Sequence, residues 1–145
     1  MAAQLDPIAE TAKLYALQGQ IEHDEGNREE ALSWYEKAAA VHEAIGGKES
    51  LAHAIRHVAD LNRELGHLEA ANEHYLESLE FYRSEENHSP LNLANAIRGL
   101  ALLREEQEQR TEARILWLEA RNLYNTTGIK EGVRECEERM SELPD

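Results

Sequence analysis

Residues Leu51–Arg56 read Leu-Ala-His-Ala-Ile-Arg, and 42 residues later Leu93–Arg98 read Leu-Ala-Asn-Ala-Ile-Arg. At the same offset Ala59 aligns with Ala101, Leu61 with Leu103, Glu64 with Glu106 and Ala71 with Ala113. Leu76, Glu77 and Tyr82 then align with Leu118, Glu119 and Tyr124. A match held over so many positions at one fixed period marks a chain built by repetition. Each unit is too small to bury its own apolar face and needs a neighbour to cover it.

Each period divides into two helical halves. Leu51, Ala54, Ile55, Val58, Ala59, Leu61 and Leu65 recur at the three- and four-residue spacing of an amphipathic helix. Gly66 supplies the left-handed residue that ends it. A second stripe follows in Leu68, Ala71, Tyr75, Leu79 and Tyr82. After the polar stretch Arg83–His88, Ser89 is placed to cap a new helix, with Pro90 in its first turn.

An earlier copy aligns at an offset of 40, pairing Ala12 with Ala52, Gly26 with Gly66, Ala31 with Ala71 and Tyr35 with Tyr75. Asp6-Pro7 predicts its first helix start, and Asn27 with Glu30 has the spacing of a capping box. The third copy carries Glu108 where the others have glycine, so its turn must close without one. From Gly128 to Leu143 only half a unit remains. Its one narrow stripe is Val133, Cys136, Met140 and Leu143, and the other faces are charged, as a terminal cap requires.

The expected fold is therefore all-α, a right-handed α-solenoid of three antiparallel helix hairpins and a C-terminal capping helix, seven helices in all. Residues 1–145 read as one domain, with repeats at about 7–46, 47–88 and 89–128 and the cap at about 129–143. The half unit suggests an array that closes at its C-terminal end.

These residues resemble the tetratricopeptide repeat family, which pairs small and aromatic positions at fixed spacing. The matching columns are Gly19, Ala59 and Ala101 in the first helices, and Ala31, Ala71 and Ala113 at the start of the second. Tyr35, Tyr75 and Trp117 follow, then Ala38, Ser78 and Ala120. Small residues let helices approach, and the aromatic fills the gap beside them. The resemblance covers about Ala9 to Leu143, and the 40- to 42-residue spacing looks like the long-repeat subclass of kinesin light chains and bacterial regulators. Gln18 stands where an apolar residue is usual, and the family's closing proline is absent from all three copies.

The resemblance implies a non-enzymatic protein–protein interaction module, with a concave groove lined by the first helix of each hairpin. By aligned column that groove presents Lys13, Ala16, Gln20 and His23 from the first copy. His53, Arg56, His57, Asp60 and Arg63 follow from the second, and Asn95, Arg98, Leu102 and Glu105 from the third. Glu135, Glu138 and Glu142 come from the cap. Relatives that bind chaperone C-termini use several lysines and asparagines there, of which only Lys13 and Asn95 are matching types.

Arg56 and Arg98 occupy one column. Their guanidinium groups either hold a ligand carboxylate or belong to an internal ion-pair ladder, with Asp60 one turn after Arg56 and Glu138 in the Arg98 column of the cap. His53, His57 and Asp60 share a helical face at metal-ligand spacing, but no matching ligand set stands elsewhere in the chain. No metal or cofactor is expected. Cys136 falls in a core column with Ala54 and Ala96. Trp34, one place before the Tyr35 column, is the better candidate for a contact surface.

Asp and Glu total 29 against 15 Lys and Arg, a net charge of −14 with histidine neutral. Such a surface repels phosphate backbones and anionic lipid, so neither nucleic acid nor a membrane surface is an expected partner. Solubility and a preference for basic partners both fit the charge. There is no phosphate loop, metalloprotease helix, nucleophile elbow or cysteine pair. The single cysteine and the absence of a basic-then-apolar leader point to the cytoplasm. The alternatives are a self-associating scaffold with a possible homodimer, a sensory subunit of a regulatory complex, and a small metal-dependent enzyme using His53, His57 and Asp60.

Overall fold

A computed structural model describes the backbone of residues 2–144 and the side chains of residues 8–144. Among the described residues there are seven helices and no strand. They are α1 (Ala2–Asp24), α2 (Arg28–Ile45), α3 (Lys48–Glu64), α4 (Leu68–Tyr82), α5 (Pro90–Glu106), α6 (Arg110–Thr127) and α7 (Lys130–Glu142). The chain forms two compact units, residues 1–78 and 79–145.

In the first unit, alanines and single rings do the packing. Ala12, Ala31, Ala38, Ala59 and Ala71 are fully buried, and Tyr35 and Tyr75 fill the space between them. Tyr35 lies over Gly19, where an added β-carbon would stand 2.8 Å from the ring. The small residue is thus what admits the aromatic. Tyr35, Ala31, Val58 and Leu61 form one cluster, against which Ala16 and Leu32 pack. Ser78 Oγ, also fully buried, donates to the Ala52 carbonyl at 3.0 Å.

In the second unit Trp117 is fully enclosed with Ile97, Leu103, Ala113, Ala120 and Cys136, and Tyr82 and Tyr124 are nearly so. Full burial of one such side chain contributes about 1.5–3 kcal/mol, so these few rings carry much of each core. The stripe read from the capping helix behaves as expected, with Cys136 buried and Val133, Met140 and Leu143 half-buried.

Helix ends divide into two kinds. Gly26 and Gly66 take φ of 85° and 84°, and Glu108 adopts the same left-handed conformation at φ 60°. In each case the next residue's N–H reaches back to a carbonyl five residues earlier: Asn27 to Glu22, His67 to Asn62 and Gln109 to Arg104. The link from α4 to α5 instead uses side chains. Asn87 Nδ2 donates to the Tyr82 carbonyl at 2.8 Å, and Ser89 Oγ accepts from Asn92 N–H at 3.2 Å.

Two local expectations need correction. Asn27 precedes α2 but forms no side-chain cap; its amide donates instead to Glu22 Oε2 at 3.3 Å. The Asn27 side chain is turned to the end of α1 and not to the start of α2. The first helix begins at Ala2, upstream of Asp6-Pro7. The Asp6 side chain itself lies outside the described residues.

Candidate functional site

In the first unit α3 brings five of the candidate residues together, because positions 53, 56, 57, 60 and 63 fall on one helical face. Arg56 Nη1 donates to Asp60 Oδ2 at 2.9 Å, and Arg56 Nη2 lies 3.3 Å from His57 Nε2. Arg56 Nε is buried without a hydrogen-bond partner. His57 stacks on the Tyr35 ring with centroids 4.5 Å apart and faces His53 Nε2 at 3.3 Å. Burial, then the Arg56 charge and the two nearby histidines, push the His57 pKa down to about 2. That imidazole is neutral at any ordinary pH.

Asp60 also accepts from the Tyr75 hydroxyl, which in turn accepts from Arg63 Nε at 3.1 Å. Burial and the adjacent Asp60 charge raise the Tyr75 pKa, so the phenol stays protonated as a donor. At the end of this face Glu64 accepts from His23 and Arg28, each at 2.9 Å. Burial alone would raise the Glu64 pKa; those two hydrogen bonds outweigh it and hold it low. Lys13 and Gln20, on α1, are exposed and have no polar partner among the described residues.

In the second unit Arg98 forms a two-pronged pair with Glu135 at 2.6 and 2.8 Å. The hydrogen bonds from Arg98, working against burial, lower the Glu135 pKa. Its acid is thus one turn earlier on α7 than the column partner Glu138. Asn95 Oδ1 accepts from the Tyr124 hydroxyl at 2.6 Å, and Leu102 is half-buried. Arg139 reaches back to Glu105 at 2.7 Å and lies over the Trp117 ring, whose indole N–H donates to the same carboxylate.

Sequence reasoning placed Tyr75 and Trp117 in the core but missed their polar tips. Both sit in one aligned column, and each donates to an acid on the first helix of its own hairpin. The available signal was an aromatic with a polar end opposite a buried-face acid. Glu135, read from sequence as a groove residue of the cap, and Arg139 on the same helix are both engaged with α5.

The histidine pair does not offer a cation site. Asp60 is already held by Arg56 and Tyr75, and the Arg56 guanidinium sits at the nitrogen a metal would need. No group of three metal-ligating side chains converges among the described residues. Trp34 is half-buried, with Tyr15 at 5.7 Å and Lys37 Nζ over its ring at 4.5 Å.

Residues 10–84, just over half of the chain, match the tetratricopeptide repeat. The chain belongs to the tetratricopeptide repeat family. Such repeats are generally protein–protein interaction modules. Among solved structures the chain is similar to BtubC (BKLC) from P. vanneervenii, with a TM-score of 0.69 and 17% identity. The match covers 91% of this chain and 62% of that one, so this chain spans less than two thirds of BtubC. At that identity the likeness shows the fold, an all-α helical repeat of the α-solenoid class. No curated protein of similar sequence was found. Among the described residues no helix is long and apolar enough to cross a membrane.

Proposed function

We propose that this tetratricopeptide repeat chain is a non-enzymatic module that binds an extended protein segment, with Arg56 as the central contact of the first unit. The observation that carries this reading is the state of the Arg56 guanidinium. Asp60 and His57 hold its two terminal nitrogens and fix the guanidinium in place. A pre-positioned guanidinium suits a carboxylate or backbone carbonyl of a bound segment, because little side-chain entropy is left to lose. Exposed Lys13, Gln20 and His53 supply further polar contacts around it, and Arg63 and His57 support it. In the second unit Asn95, Arg98 and Leu102 are the corresponding contacts.

The test is affinity capture from a lysate of the source organism, comparing the native protein with Arg56→Met and Arg98→Met. Loss of the same captured protein from either variant, with helical content unchanged, supports the reading. An unchanged capture profile from both variants overturns it. The proposal extends to one domain over residues 1–145, with repeats at about 7–46, 47–88 and 89–128, working in the cytoplasm.

A second reading, self-association, is favoured by α1. Leu14, Leu17 and Ile21 are 64%, 55% and 41% exposed at three- and four-residue spacing, an apolar helix stripe left open to water. Light scattering over a concentration series decides it: a constant monomer mass removes this reading. A dimer dispersed by Leu14→Glu with Leu17→Glu supports it.

A further inference from the structure

Two acids of α3 are neutralised, Asp60 by Arg56 and Glu64 by Arg28 and His23. Glu36 and Glu43 on α2 and Glu77 on α4 are not. They rim a groove of about 210 Å³ floored by Leu51, Ile55 and Val58 of α3. Among the described residues neither Glu36 nor Glu43 has a cationic partner. Glu77 has only His74, whose Nδ1 lies 3.6 Å away and makes no hydrogen bond.

Three carboxylates give the rim of this apolar floor a net negative charge. The groove is smaller than the roughly 300–1,000 Å³ of small-molecule sites, so its natural occupant is a single long side chain. An aliphatic residue would cover the floor and leave the rim uncompensated. An acidic or phosphorylated one would be repelled. Lysine and arginine combine an apolar stem with a cationic head, matching floor and rim together.

We propose that this groove accepts a lysine or arginine side chain presented by a partner protein. It lies between α2 and α4, apart from the Arg56 contacts, so the two proposals stand or fall separately.

The test is methyl NMR on the full chain, titrated with acetyl-Gly-Arg-Gly-amide and acetyl-Gly-Lys-Gly-amide, with the norleucine peptide as control. The Ile55 and Val58 methyl signals should move saturably with both basic peptides and not with norleucine. Affinity should fall about fivefold in Glu36→Gln with Glu77→Gln, and also on raising salt from about 0.05 M to about 0.5 M. The salt arm needs no variant and so does not depend on the substituted protein folding. Absence of a saturable shift overturns the proposal. So does an equal response to norleucine, or binding insensitive to both salt and the two substitutions.

Discussion

Gly132 lies directly beneath the ring of Tyr124: a β-carbon added there would stand 2.5 Å from Tyr124 Cγ. The ring is 3% exposed, and Cγ is the anchored end of the side chain, so it has little freedom to retreat. Alanine usually gains about 1 kcal/mol over glycine inside a helix, but overpacking costs about 1–3 kcal/mol. Gly132→Ala should therefore lower the thermal midpoint. An unchanged or raised midpoint would show that the Tyr124 ring gives way without cost.

Glu108 holds the left-handed conformation that glycine adopts at Gly26 and Gly66. That backbone costs a residue bearing a β-carbon about 1–2 kcal/mol, part of which glycine returns through its freer unfolded chain. Glu108→Gly should stabilise the protein by about 0.5–1 kcal/mol in urea unfolding, and Glu108→Val should destabilise it. Equal midpoints for all three chains would show the turn to be unstrained.

His57 gives the first unit a pH dependence. Its folded pKa is pushed to about 2 from an unfolded value near 6.5, so below that value the unfolded chain binds a proton that the folded chain refuses. The contribution is complete above pH 6.5 and diminishes as pH falls, with a slope approaching about 1.4 kcal/mol per pH unit. Urea midpoints compared at about pH 7 and about pH 5 should converge in His57→Gln relative to the native chain. A native-like pH slope in that variant would assign the effect to other groups.

Cys136 is fully buried, and burial together with Glu135 pushes its thiol up to about 11. A thiol held protonated and enclosed is a poor nucleophile. Alkylation by iodoacetamide should be negligible in the native protein at neutral pH and complete in denaturant. Rapid native labelling would show that α7 opens readily.

The helix ends that could be read from the chain are those closed by neighbours in sequence. Ser89 caps Asn92 because donor and acceptor are three residues apart, and Gly66 ends α3 through its own backbone. Asn27 departs from this pattern: its side chain turns to Glu22 of the preceding helix, a contact set by how the chain folds back and not by the local spacing. The same limit governs the candidate site. Asp60 beside Arg56 is a one-turn relation visible in any helix, whereas choosing Glu135 over Glu138 for Arg98 depends on how α7 is rotated against α5. Periodicity finds which face is buried. It does not report where the polar end of a buried Tyr75 or Trp117 emerges.

Those two polar ends bear on how the second and third hairpins keep their alignment. Packing of alanines around one ring is non-directional, whereas a hydrogen bond has a defined partner. The hydroxyl of Tyr75 and the indole of Trp117 find Asp60 and Glu105 in one setting only. Any slip would strand a buried donor at a cost of about 1–3 kcal/mol. The second and third hairpins thus each carry their own vernier.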